Sequence, residues 1–441
     1  MMMKSKIWRA LPLALLPLTA GACGLLDVND PTVIEENDIA NPTGANLLRA
    51  EAVTSLFNAA SYGAWYSGML ADEFFAFPSA NVMNGASTWA LYSIDSRHLR
   101  TPDGIRLSKT VYEAWQDTRM AATHALNWYL RHGTAAERPY VGQLRAVRGH
   151  TMVALAEQVC SGFAIHEFDW DKPVFGPPLT TDQVFAKAVA ELDSAVAAAA
   201  DSARFLHFAK VTLGRAYLGL GEFDKAAQAV QGVPTEFVFN GEYGASPGKT
   251  NRLRFTRSTS ATANNQSVAD NEAGVGLDFV SANDPRVQVT ALGLARDNTT
   301  MLYVATKYNS TTATMAIANG IEARLIEAEA ALRNNDPSWL TILNDLRASS
   351  VAPAGLDPLV DPGTPDARVD LLFRERAFWL FGTGHRLGDL RRLVKHYGRD
   401  PESVFPSGAY HLGGVYGSDM SLSFDPKGEE QANTGVTGCI D

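Results

Sequence analysis

The sequence predicts a mainly α-helical fold in which helix pairs stack into one scaffold, with a loop-rich insertion between them. Two observations predict this fold class. Apolar residues recur three or four positions apart over several long stretches, and no long stretch alternates with the period of two that a strand shows. Small residues and glycines also recur where two antiparallel helices need to approach closely.

The beginning of the chain has the pattern of a bacterial secretory signal. Lys4, Lys6 and Arg9 precede a short apolar run over residues 11–18, and small residues lead from there into Cys23. A membrane span needs about 20 apolar residues, so this segment is predicted to target the chain and then to be removed. Small residues ending in cysteine resemble a lipobox, which predicts lipidation of Cys23. The alternative is ordinary cleavage nearby, which leaves Cys23 as a spare thiol.

Composition limits the partners of this protein. The chain has 38 basic and 48 acidic residues, a formal net charge of −10. A nucleic-acid partner calls for a basic stripe, and docking on anionic lipid calls for basic clusters, so neither is predicted. Membrane attachment is therefore expected through the N-terminal lipid, and Gly24, in place of the aspartate that retains lipoproteins in the inner membrane, favours the outer membrane.

Two cysteines remain once Cys23 is acylated. They are Cys160, at the end of a predicted helix, and Cys439, close to the carboxyl terminus. An exported chain passes through an oxidising compartment, so an even number of remaining cysteines favours a disulfide. The alternative is two unrelated thiols.

Helical periodicity defines the early elements in chain order. A helix is expected from Ala45 to about Phe75, with a break around Tyr62-Gly63, and the next helices are expected over Ile105–Leu130, Tyr140–Val159 and Thr181–Ala200. Later pairs are expected over Ile321–Leu332 with Trp339–Leu346, and over Asp370–Phe381 with His385–Tyr397.

One helix pair carries a more specific pattern, that of a tetratricopeptide repeat. Its residues are Leu213, Gly214, Tyr217, Gly221, Phe223 and Ala226. Small residues let two antiparallel helices approach closely, large residues fill the crevice, and a glycine makes the turn. Such pairs bury a core only by stacking, and their irregular spacing here predicts a tetratricopeptide-like scaffold rather than a regular array.

The insertion interrupts these pairs with a segment rich in glycine, serine, threonine and asparagine, and a small hairpin is expected in it. Loops of this kind on a rigid scaffold often carry binding surfaces. The predicted divisions are a signal peptide (1–22), an extended leader or hinge (23–43) and a single domain (44–441), with helix pairs at about 140–232 and 318–398 and the insertion at about 233–317.

Catalytic and cofactor motifs are not predicted. The chain has neither an HExxH nor a GxSxG pattern, and its nine histidines are scattered singly. The stretch Gly241–Thr250 ends in Gly-Lys-Thr, but Tyr243 stands where a phosphate-binding loop needs its first glycine. Asp72 and Glu73 are adjacent on a predicted helix and point in different directions. No enzyme activity, cofactor or metal is therefore expected.

Aromatic residues crowd one segment between Trp65 and Tyr92, with asparagine and arginine among them. Flat rings stack on sugar rings or on apolar peptide side chains, and polar side chains bond hydroxyls. The candidate ligand contacts are Asp72, Asn84, Trp89, Arg97 and Tyr303. The alternative is that most of these rings belong to the core; Trp89, in an expected polar loop, is a better candidate than Phe74 or Phe75.

Several motifs together resemble the SusD/RagB family, the starch-binding-protein-like surface lipoproteins of bacterial nutrient uptake. They are Cys23, Leu26-Asp27-Val28, Asp72-Glu73, Asp284-Pro285-Arg286, Ala328-Glu329-Ala330, Glu375-Arg376, Gly384-His385-Arg386 and Asp389-Leu390-Arg391-Arg392. Four charged residues of the last three motifs are interpreted as a structural charge network: Glu375, Arg376, Arg386 and Asp389. Arg386 and Asp389 lie three positions apart on one predicted helix and are therefore able to pair.

The resemblance implies a SusD-like α/α superhelix and a lipid-anchored outer-membrane location facing the cell surface. It also implies capture of an oligosaccharide or a peptide and delivery to a SusC-like TonB-dependent transporter, with no bond broken. Two other classes stay open. A glycan hydrolase needs two carboxyl groups across a groove, and a protein-binding scaffold leaves most of the aromatic cluster buried.

Overall fold

A computed structural model of the protein describes residues 41–77, 86–169, 172–246, 248–253, 266–295, 297–425 and 438–440, with the backbone alone at 86–90, 169 and 173. The helices are α1 (Pro42–Leu70), α2 (Ala86–Asp95), α3 (Pro102–His132), α4 (Arg138–Gln158), α5 (Thr181–Ala198), α6 (Ala203–Leu220), α7 (Phe223–Ala229), α8 (Gly320–Arg333), α9 (Ser338–Ala348), α10 (Pro365–Trp379), α11 (Arg386–Tyr397) and α12 (Pro401–Val404). The strands are β1 (Phe74–Ala76), β2 (Glu167–Asp169), β3 (Lys172–Val174), β4 (Val238–Gly241), β5 (Gln266–Val268), β6 (Val289–Leu294), β7 (Met301–Ala305) and β8 (Met315–Asn319).

The mainly α-helical prediction is confirmed. Consecutive long helices pack side by side, α1 on α3, α3 on α4, α4 on α5 and α5 on α6, and the α8–α9 pair continues the stack. Capping residues fix their starts: Thr180 and Gln183 form a capping box at α5, and Thr101 caps α3. The stack encloses one large continuous hydrophobic core.

Helix α1 differs from the predicted helix in two places: at Tyr62-Gly63, where a break was expected, and at its carboxyl-terminal end. It runs unbroken through Gly63, because that glycine serves close helix packing: an added Cβ would lie 2.6 Å from Gln158 Oε1 and 3.1 Å from the Trp115 ring. The helix stops at Leu70, since Phe74–Ala76 instead form β1, which pairs antiparallel with β5.

The tetratricopeptide-like pair is confirmed as α6 and α7. Gly221 ends α6 in the left-handed region at φ 75°, which favours glycine. At Gly214 an added Cβ would lie 2.6 Å from Val230 and 3.1 Å from the Ala226 carbonyl oxygen, so the small residue sets the distance between the two helices.

The insertion begins and ends at one strand pair. Strand β4 pairs antiparallel with β8, with Val238 opposite Asn319, so the chain leaves and re-enters the helical stack at neighbouring points. The expected small hairpin is β6–β7, in which the register shifts between Ala291 and Gly293.

The predicted charge network is buried and ion-paired within the protein, but its pairing differs from the prediction. Arg386 does not pair with Asp389. It forms a two-pronged ion pair with Asp72, at 2.6 and 2.7 Å, whereas Asp389 pairs with Arg376. The reason is that α11 turns these two side chains toward different neighbours.

Glu375 takes part in a separate cluster. Its carboxylate accepts from Arg286, at 2.7 Å, and from Arg347, at 2.8 Å, and Arg286 also pairs with Asp284. This cluster joins α10 to the insertion and to α9, so the Asp-Pro-Arg motif of the sequence has a structural role.

Cys160 and Cys439 form a disulfide between residues 279 positions apart, which ties the carboxyl end of the chain to the end of α4. In the part of the chain that the structure describes, no helix is both long and apolar enough to span a membrane. Cys23 and the predicted leader up to residue 40 lie outside the described residues, whereas Asn41 caps α1 and Pro42 and Thr43 begin it.

Candidate functional site

A groove of about 840 Å³ lies between the end of α2, the start of α3 and the loop after α12. One wall carries Tyr92, Ser93, Ser96, His98, Thr101, Pro102 and Asp103, and the other carries Tyr410, Leu412, Gly413, Gly414 and Val415. The groove therefore combines aromatic and apolar surface with hydroxyl groups, the composition expected of a small-molecule site.

The second wall is a tight loop over residues 408–416, here called the groove loop. Gly408, Gly413 and Gly414 all have positive φ angles, 78°, 97° and 81°, in the region that favours glycine. The Tyr410 N–H donates to the Gly414 carbonyl at 3.1 Å, and the resulting turn leaves Val415 64% exposed.

Arg97 holds the groove loop to the first wall. Its guanidinium donates to the carbonyl oxygens of Pro406, at 2.7 Å, and Asp419, at 3.1 Å, and its side chain is fully buried. Asp419 in turn accepts from the Leu99 N–H at 2.7 Å. The prediction that Arg97 contacts ligand is wrong, because every direction of its side chain is covered by the protein.

Asp72 is also wrong as a ligand contact. Its carboxylate is fully buried, paired with Arg386, and accepts from the Leu277 N–H at 3.0 Å. Neighbouring Glu73 points elsewhere, as expected, and accepts from the Gly382 N–H at 2.7 Å. Burial raises the pKa of Glu73 to about 8.

The aromatic cluster divides between core and groove. Tyr66, Phe74 and Phe77 are buried, and the rings of Phe75 and Phe77 pack against His411 of the groove loop, with centroids 5.2 and 6.4 Å apart. These rings therefore support the groove from behind. Tyr92 is half-buried and lines the groove itself.

The other three predicted contacts, Asn84, Trp89 and Tyr303, stay predictions. Asn84 and the side chain of Trp89 lie outside the described residues, and the backbone of Trp89 belongs to α2, not to the expected loop. Tyr303 is half-buried on β7 and is not among the residues that line the groove. Its role in binding stays a prediction.

Beneath Tyr410 lies a buried acidic pair. Asp95 Oδ2 accepts from the Tyr410 hydroxyl, at 2.6 Å, and from the Ala76 N–H, at 3.0 Å, while Glu272 Oε1 accepts from the Tyr416 hydroxyl at 2.9 Å. Burial raises the pKa of Asp95 to about 7 and the pKa of Glu272 well above its usual range.

The groove is poor in charge. Asp103 is the only acidic residue among its described lining residues, and its carboxylate lies 3.5 Å from Arg106. The described lining contains neither lysine nor arginine. A second cavity, of about 470 Å³, is rich in basic residues, but they are engaged: Arg391 donates to two carbonyl oxygens of α4, and Arg392 pairs with Glu329. The described residues include no cluster of three or more metal-binding side chains.

Comparison with known proteins identifies solved structures that share this architecture. No family model matches the chain, and no curated protein matches it in sequence. Solved structures match it over most of its length.

Three of these structures illustrate the likeness. A SusD-like carbohydrate binding protein from Bacteroides vulgatus is 15% identical, with a TM-score of 0.60 over 89% of this chain and 97% of that one. Surface glycan-binding protein A from Bacteroides thetaiotaomicron is 12% identical, with a TM-score of 0.64 over 91% and 100%. NanU of B. fragilis is 11% identical, with a TM-score of 0.63 over 93% and 99%. The chain therefore has a SusD-like fold.

Proposed function

We propose that this protein is a glycan-binding lipoprotein of nutrient uptake, which captures an uncharged oligosaccharide in the groove and delivers it to a SusC-like TonB-dependent outer-membrane transporter. The observation that carries the proposal is the groove. Its lining includes Tyr92 and Tyr410 together with Ser93 and Thr101, on a fold shared with surface glycan-binding proteins.

The ligand class follows from the chemistry of the lining. A sugar ring offers a flat C–H face to an aromatic ring and hydroxyl groups to serine, threonine and carboxylate side chains. An anionic glycan would need a cation for its carboxylate, and the described lining contains neither lysine nor arginine. The groove therefore favours neutral oligosaccharides over acidic ones.

Binding without cleavage is the better interpretation of the carboxyl groups. Glycoside hydrolysis needs two of them flanking the scissile bond. Asp103 lines the groove, but Asp95 and Glu272 are buried beneath Tyr410 and hydrogen-bonded to tyrosine hydroxyls. This pair is not presented to a bound sugar.

The anchor completes the proposal. Cys23 would carry the lipid, residues 23–43 would act as a hinge, and residues 44–441 would form one domain that swings over the transporter. Loss of the leader beyond its first few residues is expected to impair uptake while leaving glycan binding intact.

Binding is tested by calorimetry with neutral oligosaccharides of glucose, mannose and xylose, and with oligogalacturonate as the acidic comparison. Val415→Asp places a charge on the groove wall and is expected to lower affinity at least tenfold, about 1.4 kcal/mol. Val360→Asp is the matched control, because Val360 is 82% exposed and lies outside the groove lining. Equal effects of both substitutions, or tighter binding of the acidic glycan, would contradict the proposed site.

Burial of Tyr66, Phe74 and Phe77 favours a second candidate, a protein-binding scaffold lipoprotein. A pull-down from solubilised outer membrane with the full-length lipidated protein separates the two. Recovery of a TonB-dependent barrel in near-equal amount supports delivery to a transporter. Recovery of other proteins without a barrel, together with no glycan binding, supports the scaffold.

A further inference from the structure

Asp95 and Glu272 meet side by side under the groove loop although they lie on different parts of the chain. Asp95 ends α2, and Glu272 belongs to the insertion. The tyrosines that donate to them, Tyr410 and Tyr416, pack with ring centroids 5.1 Å apart, and each carboxyl group affects the pKa of the other. One oxygen of each, Asp95 Oδ1 and Glu272 Oε2, is buried and has no other hydrogen-bond partner among the described residues.

A proton shared between the two carboxyl groups would complete the hydrogen bonds around the pair. The outer oxygens, Asp95 Oδ2 and Glu272 Oε1, already accept from the hydroxyls of Tyr410 and Tyr416. A carboxylate only accepts, so two ionised groups in contact would leave both inner oxygens unpaired and place like charges together in a low-dielectric site. One shared proton removes both penalties.

The surrounding groups do not supply another solution. The titratable groups that face the pair are Asp72, Tyr92, Arg97, Tyr410, His411 and Tyr416. Asp72 is paired with Arg386, and Arg97 donates to carbonyl oxygens. Burial lowers the pKa of His411, whose Nε2 lies 3.9 Å from Asp95 Oδ2, so this ring is uncharged at alkaline pH.

Because Tyr410 lines the groove and Tyr416 ends the groove loop, the pair fixes the shape of the binding wall. We propose that Asp95 and Glu272 are positioning residues that share one proton and thereby hold the groove loop in its binding shape, so that loss of this proton releases the loop and lowers ligand affinity. The affinity part of this inference rests on the proposed function, whereas the loop part does not.

The direction of the pH dependence follows from the pKa shifts. Burial raises the pKa of both carboxyl groups above that of an exposed carboxyl, and burial also raises the pKa of Tyr410 and Tyr416, whose hydroxyls stay protonated. The pair keeps its proton at neutral and mildly acidic pH and loses it as the pH rises through the raised value. The loop is therefore held below that pH and released above it.

Amide variants test the proton directly. In Glu272→Gln, the amide oxygen accepts from Tyr416 and the NH₂ donates to Asp95 without a titratable proton. Asp95→Asn does the same from the other side. In the double variant one amide must rotate and turn its NH₂ toward a tyrosine hydroxyl for the contact to form, so one of the two hydroxyl-to-oxygen hydrogen bonds is lost at every pH.

The measurement is hydrogen exchange of peptides covering residues 408–417 between pH 6 and pH 10, corrected for the intrinsic exchange rate, on the full chain. The wild type is expected to lose protection about tenfold per pH unit above the titration. Each single variant is expected to stay protected with less than a twofold change, and the double variant to be less protected than either single variant, with no dependence on pH. Circular dichroism verifies that each variant is folded.

A wild-type loop that stays protected to pH 10, or single variants with the same pH profile as the wild type, would overturn the shared proton. Calorimetry on the same samples with the best neutral oligosaccharide gives the second result. Affinity that follows loop protection supports both proposals. Protection that changes while affinity does not would leave the proton-dependent loop standing and would remove the ligand from this groove.

Discussion

Replacing Asp72 by alanine tests whether this acidic residue is structural. The substitution leaves the Arg386 guanidinium buried without its two-pronged partner, which sits at 2.6 and 2.7 Å, and leaves the Leu277 N–H without an acceptor. Breaking a buried ion pair from one side costs about 3–5 kcal/mol, because the remaining charge is not compensated. The unpaired N–H adds about 1–3 kcal/mol. Asp72→Ala is therefore expected to lower the free energy of unfolding by at least about 3 kcal/mol.

Urea unfolding followed by circular dichroism measures this loss as a shift of the midpoint at constant slope. Asp366→Ala is the matched control: Asp366 is paired with Arg399 at 3.5 Å but its side chain is 86% exposed, so a change of about 0–1 kcal/mol is expected. Folded Asp72→Ala protein should keep its glycan affinity. A loss of stability no larger than the control, or lost affinity at unchanged stability, would refute a structural role for Asp72.

Three further predictions concern packing, the disulfide and pH. Gly63→Ala places a Cβ against buried side chains, 2.6 Å away at the closest, and is expected to lower the free energy of unfolding by about 1–3 kcal/mol in urea. Gly244→Ala is the control: the nearest neighbour of its Cβ would be 3.7 Å away, so the loss should be less than about 1 kcal/mol. Cys439→Ser is expected to lower stability by about 2–5 kcal/mol and to abolish the effect of a reductant on unfolding, so a wild type that is insensitive to the reductant would contradict the role of the disulfide. Burial raises the pKa of Glu73 to about 8 from an ordinary 4.5, so its contribution to the free energy of unfolding is complete below pH 4.5 and is lost as the pH rises towards 8. Glu73→Gln should therefore flatten the dependence of stability on pH between these two values. Parallel profiles for the variant and the wild type would contradict this role of Glu73.

Local patterns predicted the helices well. The Ile321–Leu332 prediction differs by one residue at each end from the observed Gly320–Arg333, because the apolar period and the flanking caps are properties of the segment itself. Gly63 shows the limit of such patterns. A glycine in a helix either breaks it or lets a neighbour approach, and only the residues opposite decide which.

The site was harder to predict, because it is made by contacts between distant parts of the chain. Asp72 and Arg386 are 314 positions apart, so the sequence shows two charges but not that they meet. The groove loop lies in a stretch without helical or strand periodicity. Its paired glycines at 413–414 between two tyrosines were the available signal for a tight, aromatic turn.

The strand pair β4–β8 has a consequence for the length of the insertion. Since the insertion leaves and re-enters the helical stack at neighbouring residues, its length is uncoupled from the spacing of the helices on either side. A change in the length of the segment between Gly241 and Met315 therefore leaves the register of the stack unchanged, provided that the contacts of Leu277 and Arg286 with the stack are kept. The insertion is thus fastened to the stack by a few buried polar contacts, and the distance between its two ends does not depend on how much chain lies between them.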